Sequence, residues 1–303
     1  LPIYPVTFRV TRLPEKLQRK TKKTKMTYSK MITSILFTAA AASGARVDPL
    51  ITSDWSQSGN GYNNNTLEFN GQNAPTGCLS VAFGQVIRHF AYPNRGIGTK
   101  DYCNDKSFQC GPEGRVEAEF YLTNYDYENM PDKLNWYSTD VEKNAVATLL
   151  GHVGAAVGVR YGKDGSAAAI DNPSVFKGLR RHFAMSNAEK KSRDDYSEEE
   201  WYELVKDSLL AGEPVILTGT DSKIGAGHAY IVDGIREDGK VHINFGWGGS
   251  SNGWYDLNDI LVNNRYRFTE DMSAYLGLRP TQHKLNEQCG GRYGEQCEEG
   301  RSE

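Results

Sequence analysis

The 303-residue sequence predicts an α+β fold in two lobes, a helical lobe followed by one built on an antiparallel β-sheet. Two observations carry that prediction. Apolar residues recur at helical offsets in several stretches between residues 78 and 210, and from Pro214 onward the period switches to two. A third sets the boundaries: Gly, Pro, Asn and Asp cluster between the periodic stretches.

Residues 1–25 are basic and polar, with Arg19-Lys20-Thr21-Lys22-Lys23-Thr24-Lys25 and no core-forming pattern, and are expected to be a tail outside the mature protein. Met26 is read as the biological start. Residues 26–45 have the pattern of an export signal. Lys30 supplies positive charge, Met31 to Ala42 an apolar run, and Ser43-Gly44-Ala45 small residues for cleavage. A short buried helix is the competing reading. Residues 47–77 are extended and turn-rich, expected to wrap a surface more than build a core. Asn64-Asn65-Thr66 is a glycosylation sequon, meaningful only in a eukaryotic secretory pathway.

The stretch Gly71-Gln72-Asn73-Ala74-Pro75-Thr76-Gly77 leads into a helix opened by Cys78, with Val86, Ile87 and Phe90 at helical offsets from Ala82 and Phe83. At a helix N-terminus the unpaired N–H groups and the positive dipole end favour a thiolate, the nucleophilic form of cysteine. Taken alone, Cys78 fits a small buried apolar residue equally well. Tyr92 to Gly96 is a turn, and residues 97–132 read as an irregular surface excursion. Residues 142–157 form a helix with Val146, Leu149, Leu150 and Val153 on one side. Arg160 to Ala168 is a glycine-punctuated loop matching neither phosphate-cradling spacing. Residues 175–183 form a short helix, and Ser197-Glu198-Glu199-Glu200 is a capping box opening another, ended by Gly212.

The sheet then begins. Residues 214–219 are one strand, Asp221 to Gly227 a seven-residue turn, and 228–234 a second strand. Glu237-Asp238-Gly239 turns the chain back, and 240–245 return. His228 opens the second strand beside Gly227, where the backbone allows close approach of a peptide. A neutral imidazole there could take the proton of Cys78, and the resulting ion pair would lower the thiol pKa. A third polar group must orient the ring. Asp233, five residues along an extended strand, points to the opposite face. Asn244 lies on the returning strand. A lone strand histidine is more often structural, and His152 and His242 are read that way. The Gly/Trp run from Gly246 also fits simple packing of large rings on backbone.

Composition narrows the function. A formal net charge of −3 and the absence of a basic domain argue against nucleic acid as a partner. Once the N-terminus is explained, no apolar run is long enough for a stable membrane span. There are five cysteines. Cys103 and Cys110 bracket a short polar loop, and Cys289 and Cys297 bracket Gly290 to Gly294 near the end. Two local disulfides would leave Cys78 as an unpaired, reactive thiol. No Cys-x-x-Cys occurs and the six histidines are scattered, so no metal site or other cofactor is expected.

Ala74-Pro75-Thr76-Gly77-Cys78, with the Gln85 helix and Tyr92-Pro93-Asn94, resembles the nucleophile region of the streptopain family of secreted cysteine peptidases. Residues 227–234 and His242-Ile243-Asn244-Phe245-Gly246-Trp247-Gly248-Gly249 resemble its histidine region, and Val153-Gly154, Tyr161-Gly162, Gly165-Ser166-Ala167, Trp201 and Pro214-Val215 match in order between them. The resemblance spans about residues 47–280, leaving 281–303 as a tail. It implies a papain-like two-lobed fold, the helical lobe carrying the nucleophile and the sheet lobe the histidine. It implies a monomeric extracellular endopeptidase that hydrolyses proteins or peptides through a Cys78 thioester. By matched position His228 is the general base and acid, and Asn244 orients its ring. Trp247 shields that contact, Gln72 donates to the oxyanion beside the Cys78 N–H, and Ser166 and Gly227 line the substrate cleft. Two departures stand out. Phe245 replaces the family's usual tryptophan, and the residues before Val47 are fewer than the family's inhibitory prodomain needs. The second motivates an alternative, a non-proteolytic binding protein or thioester acyltransferase on the same scaffold.

Overall fold

The computed structural model describes residues 44–281 apart from 106, 108 and 169–173. The expected basic tail, all of the signal-like run before Gly44, and the Cys289–Cys297 bridge lie outside the described residues. In chain order, a small hairpin of β1 (Glu68–Phe69) and β2 (Gln72–Asn73) precedes α1 (Cys78–Phe90). A second hairpin, β3 (Thr99–Cys103) and β4 (Arg115–Glu119), leads to α2 (Asp140–Val157) and α3 (Ser174–Phe183). Next come β5 (Glu189–Ser192), α4 (Glu198–Leu210), β6 (Val215–Asp221), β7 (Ala226–Ile235), β8 (Val241–Asn244) and β9 (Gly253–Tyr255). A short pair, β10 (Leu261–Val262) and β11 (Tyr266–Arg267), precedes β12 (Glu270–Leu276). The fold is α+β, with a six-stranded sheet in the order β5-β12-β6-β7-β8-β9, antiparallel at every pairing.

Side chains alternate across a strand, and here both faces of the sheet are covered. Ile216, Ala229, Ile231 and Tyr275 join the core built by α1, α2 and α3. Val215, Leu217, Tyr230, Val232, Ala274 and Leu276 join a second core on the opposite face with Trp201, Val205 and Leu209 of α4. The in-register neighbours Ile216↔Ile231 and Leu217↔Tyr230 show that alternation. It explains why nearly every residue of β7 is buried.

Helix α1 is the hub. Every residue from Leu79 to Ile87 is buried, so the helix is enclosed on all sides rather than along the one face its periodicity suggests. Gly84 permits this: a Cβ there would sit 2.6 Å from Leu150 Cδ2 of α2. Each fully buried Val, Ile or Phe contributes about 1.5–3 kcal/mol of transfer free energy, which holds the helix start firmly in place. α2 opens on a Thr139 capping box with Glu142 and closes on Gly158. α4 opens on the expected Ser197 box with Glu200.

Several expectations change. The segment before Cys78 does wrap the surface, but it also builds core, since Trp55 and Tyr62 are buried. Residues 97–132 contain the β3–β4 hairpin, stapled by the expected Cys103–Cys110 disulfide. The turn before His228 is shorter than seven residues, because pairing runs out to Asp221↔Ala226. The carboxylate of Asp221 tightens it by accepting from the Lys223 and Arg267 amides.

Candidate active site

The site forms where the first turn of α1 meets β7. Gly77 has φ 86° and ψ 148°, a conformation open essentially to glycine alone. A Cβ there would also lie 2.9 Å from the Ser166 carbonyl oxygen. The bend presents Cys78 as the first helical residue. No side chain caps this helix and no acidic residue occupies its first turn, so the leading amides remain available to a ligand.

Cys78 is a free thiol, partly exposed. Burial pushes its pKa up, opposed by the backbone amides of Ala229, Leu79 and Cys78 itself. The influence of Ala229 places the sulfur against β7 next to His228. The helix N-terminus and ion pair were expected to lower this pKa. Burial is the largest influence on the thiol, and the backbone amides that oppose it, those of the helix start included, are smaller.

His228 is 5 % exposed. Its Nε2 lies 2.8 Å from the Phe245 carbonyl oxygen. A carbonyl can only accept, so Nε2 carries the proton and Nδ1 keeps its lone pair. Burial lowers the imidazole pKa to about 4, with the Phe245 contact working in the other direction. The ring sits among aromatics: Trp247 is 4.7 Å away and tilted by 30°, and Phe268 lies at 5.4 Å. A neutral imidazole with an open Nδ1 is thus held on the strand residue that precedes Ala229, whose amide acts on the Cys78 sulfur.

Asn244 does not bond to this ring, contrary to expectation. Its Oδ1 accepts from the Gly246 amide at 2.9 Å and from Gln85 Nε2 at 3.4 Å. Its Nδ2 donates to the Ser53 carbonyl at 2.8 Å. The reason is register. Asn244 pairs with Ile231, three residues beyond His228, while the chain turning out of β8 brings the Phe245 carbonyl to the ring.

The Trp247 ring packs on that of His228. Gln72 lies on β2, exposed, and its side chain makes no hydrogen bond among the described residues. Ser166 is buried with its main chain against Gly77, and its Oγ accepts from the Gly162 amide at 3.3 Å. Gly227 is half-buried and pairs with Thr220. Asp233 points elsewhere, as expected. It sits at a register shift in β7, and its carboxylate holds His242 Nδ1 at 2.7 Å and the Ile51 amide at 3.0 Å. His152 bonds Tyr125 OH at 3.0 Å within an aromatic cluster. Among the described residues no group of three or more His, Cys, Asp and Glu is placed to hold a metal ion.

Sequence reasoning missed Gln85 and the Phe245 carbonyl. Gln85 carried a signal: it is a polar residue inside an otherwise apolar helix. A main-chain acceptor carries none.

Comparison with known proteins gives a consistent picture. The model of the peptidase C10 family matches residues 55–255. The thiol protease/hemagglutinin PrtT of Porphyromonas gingivalis is 32% identical over 217 residues, covering 70% of this chain and 23% of that protein. Streptopain of Streptococcus pyogenes is 29% identical over 223 residues, covering 70% and 54%. The chain therefore spans about half the length of streptopain and less than a quarter of PrtT. Among solved structures, active wild-type interpain A cysteine protease of Prevotella intermedia superposes with a TM-score of 0.70 at 34% identity, covering 77% of this chain and 94% of that one.

Proposed function

The chain belongs to the peptidase C10 family, and from that membership and the site at α1 and β7 we propose that it is a papain-like cysteine endopeptidase. The observation that carries this reading is the Nε2–Phe245 bond. It leaves Nδ1 of His228 bare, on the strand residue adjoining the amide that acts on the Cys78 sulfur.

His228 Nδ1 takes the thiol proton as Sγ attacks the scissile carbonyl carbon. The Cys78 amide and the Gln72 side chain donate to the oxyanion. Losing one such donor typically costs roughly 10²–10³ in rate. The tetrahedral species collapses to a thioester, and the imidazolium returns its proton to the departing amine. Water, deprotonated by His228, then attacks the thioester. The carboxylic acid leaves and the thiol is restored. Trp247 keeps bulk water from the imidazole, and Ser166 and Gly227 flank the bound peptide backbone. The loop Ser166-Ala167-Ala168 offers an apolar subsite.

Proteins or peptides are the substrates, the enzyme acts outside the cell as a monomer, and residues 26–45 direct its export. No helix among the described residues is long and apolar enough to cross a membrane. The test is hydrolysis of casein under reducing conditions. Wild type should cleave and Cys78→Ala should not; an inactive wild type would favour a binding or acyl-transfer role instead.

A further inference from the structure

We propose that Gln85 is a positioning residue for His228, acting through Asn244 and the one peptide unit that joins Phe245 to Gly246. Both ends of that unit are engaged. Its carbonyl accepts from His228 Nε2 at 2.8 Å, and its N–H donates to Asn244 Oδ1 at 2.9 Å. Hydrogen bonds in series polarise one another in a low-dielectric interior. Asn244 therefore both aims the carbonyl and strengthens it as the acceptor that fixes the ring tautomer.

Asn244 is itself held. Gln85 Nε2 donates to the same Oδ1 at 3.4 Å, and Gln85 Oε1 accepts from the Trp55 amide at 3.0 Å. The Asn244 Nδ2 bond to the Ser53 carbonyl completes its set. Gln85 is fully buried and Asn244 is 2 % exposed, so water does not compete for these bonds. Gln85 stands on α1, seven residues after Cys78, which links the nucleophile's helix to the base's acceptor. The contact is tight: Gly246 has φ 67°, and a Cβ there would lie 2.9 Å from Val81 Cγ1 of α1.

The proposal rests on Cys78 and His228 being the reacting pair. Without Oδ1, the Gly246 amide loses its acceptor, the peptide can rotate, and the ring can adopt the Nδ1–H tautomer, which cannot take the thiol proton. A carboxylate at position 244 would keep the acceptor and add negative charge near the imidazole, raising its pKa.

Two readouts are needed in the full chain: the pH profile of Cys78 alkylation by iodoacetamide, which requires no peptidase activity, and kcat and KM on a peptide substrate. Asn244→Ala and Gln85→Met should each lower the neutral-pH alkylation rate and kcat roughly tenfold, the scale of one hydrogen bond. KM should be unchanged, and the double variant should lose less than the product of the two. Asn244→Asp should recover most of the rate and move the acid limb of the alkylation profile to higher pH. An unmoved acid limb in Asn244→Asp, or Gln85→Met with wild-type rates, overturns the proposal even if Asn244→Ala fails to fold. If the wild-type chain cleaves no peptide yet the alkylation profiles shift as described, the peptidase reading fails and this one stands.

Discussion

The imidazole of His228 donates from Nε2 to the main-chain carbonyl of Phe245 at 2.8 Å. A side-chain amide in that place could be reversed and could offer either a donor or an acceptor. A carbonyl offers one choice, and it dictates the tautomer. Nitrogen-15 NMR of the histidines at pH 7 should show His228 neutral, with Nε2 protonated and Nδ1 bare. A protonated Nδ1 with a bare Nε2 would contradict the arrangement.

The buried histidines make the fold acid-sensitive. Burial lowers the pKa of both His228 and His152 from 6.5 to about 4. Below pH 6.5 the unfolded chain binds protons that the folded chain refuses. Stability is therefore fully present above pH 6.5 and lost as pH falls toward 4. For His228 the span corresponds to roughly 3 kcal/mol at about 1.4 kcal/mol per pH unit. Thermal melts should show a falling Tm between pH 6.5 and 4.5, less steep in His152→Gln. A flat Tm across that window would refute the assignment.

Gly77→Ala should damage both fold and site. The substitution places a side chain at φ 86° and drives it onto the Ser166 carbonyl. Backbone strain of this type costs about 1–3 kcal/mol, and relieving it moves the Cys78 amide. Urea melts should show the loss, and kcat on a peptide substrate should fall with it. A variant with wild-type stability and turnover would show that the bend is dispensable.

Asp233→Ala should destabilise without touching the reacting groups. The carboxylate is fully buried and serves the His242 ring and the Ile51 amide. Removing it strands both donors, at about 3 kcal/mol. A change below about 0.5 kcal/mol, the range of an ordinary surface substitution, would show that the pair carries no stability.

Much of this architecture could be read from local sequence. The Ser197 box marks where α4 begins, Gly77 marks where α1 begins, and Glu237-Asp238-Gly239 makes the turn between β7 and β8. These signals act within a few residues of themselves. Strand β12 is different. It lies between β5 and β6 and is largely buried, so it lacks the alternation of a half-exposed strand, and its partners are fifty or more residues away in sequence. Strand β5 is Glu-Lys-Lys-Ser at a sheet edge, with no apolar period at all. At the site, the helix start and strand position of Cys78 and His228 were legible. The oxygen that orients the ring was not, because the register shift at Asp233 and the chain path after Asn244 decide it. The raised Cys78 pKa was hidden for a similar reason. The dipole is a property of one helix, whereas the desolvation comes from tertiary packing around the helix start.

The central claim is that Cys78 is a nucleophile activated by His228. It is tested most directly by treating the reduced protein with an irreversible peptidyl epoxide and locating the adduct by mass spectrometry. One adduct on Cys78, formed in step with loss of casein hydrolysis and absent in His228→Ala, is the predicted result. An adduct at any other residue, or proteolysis that survives Cys78→Ala, would contradict it.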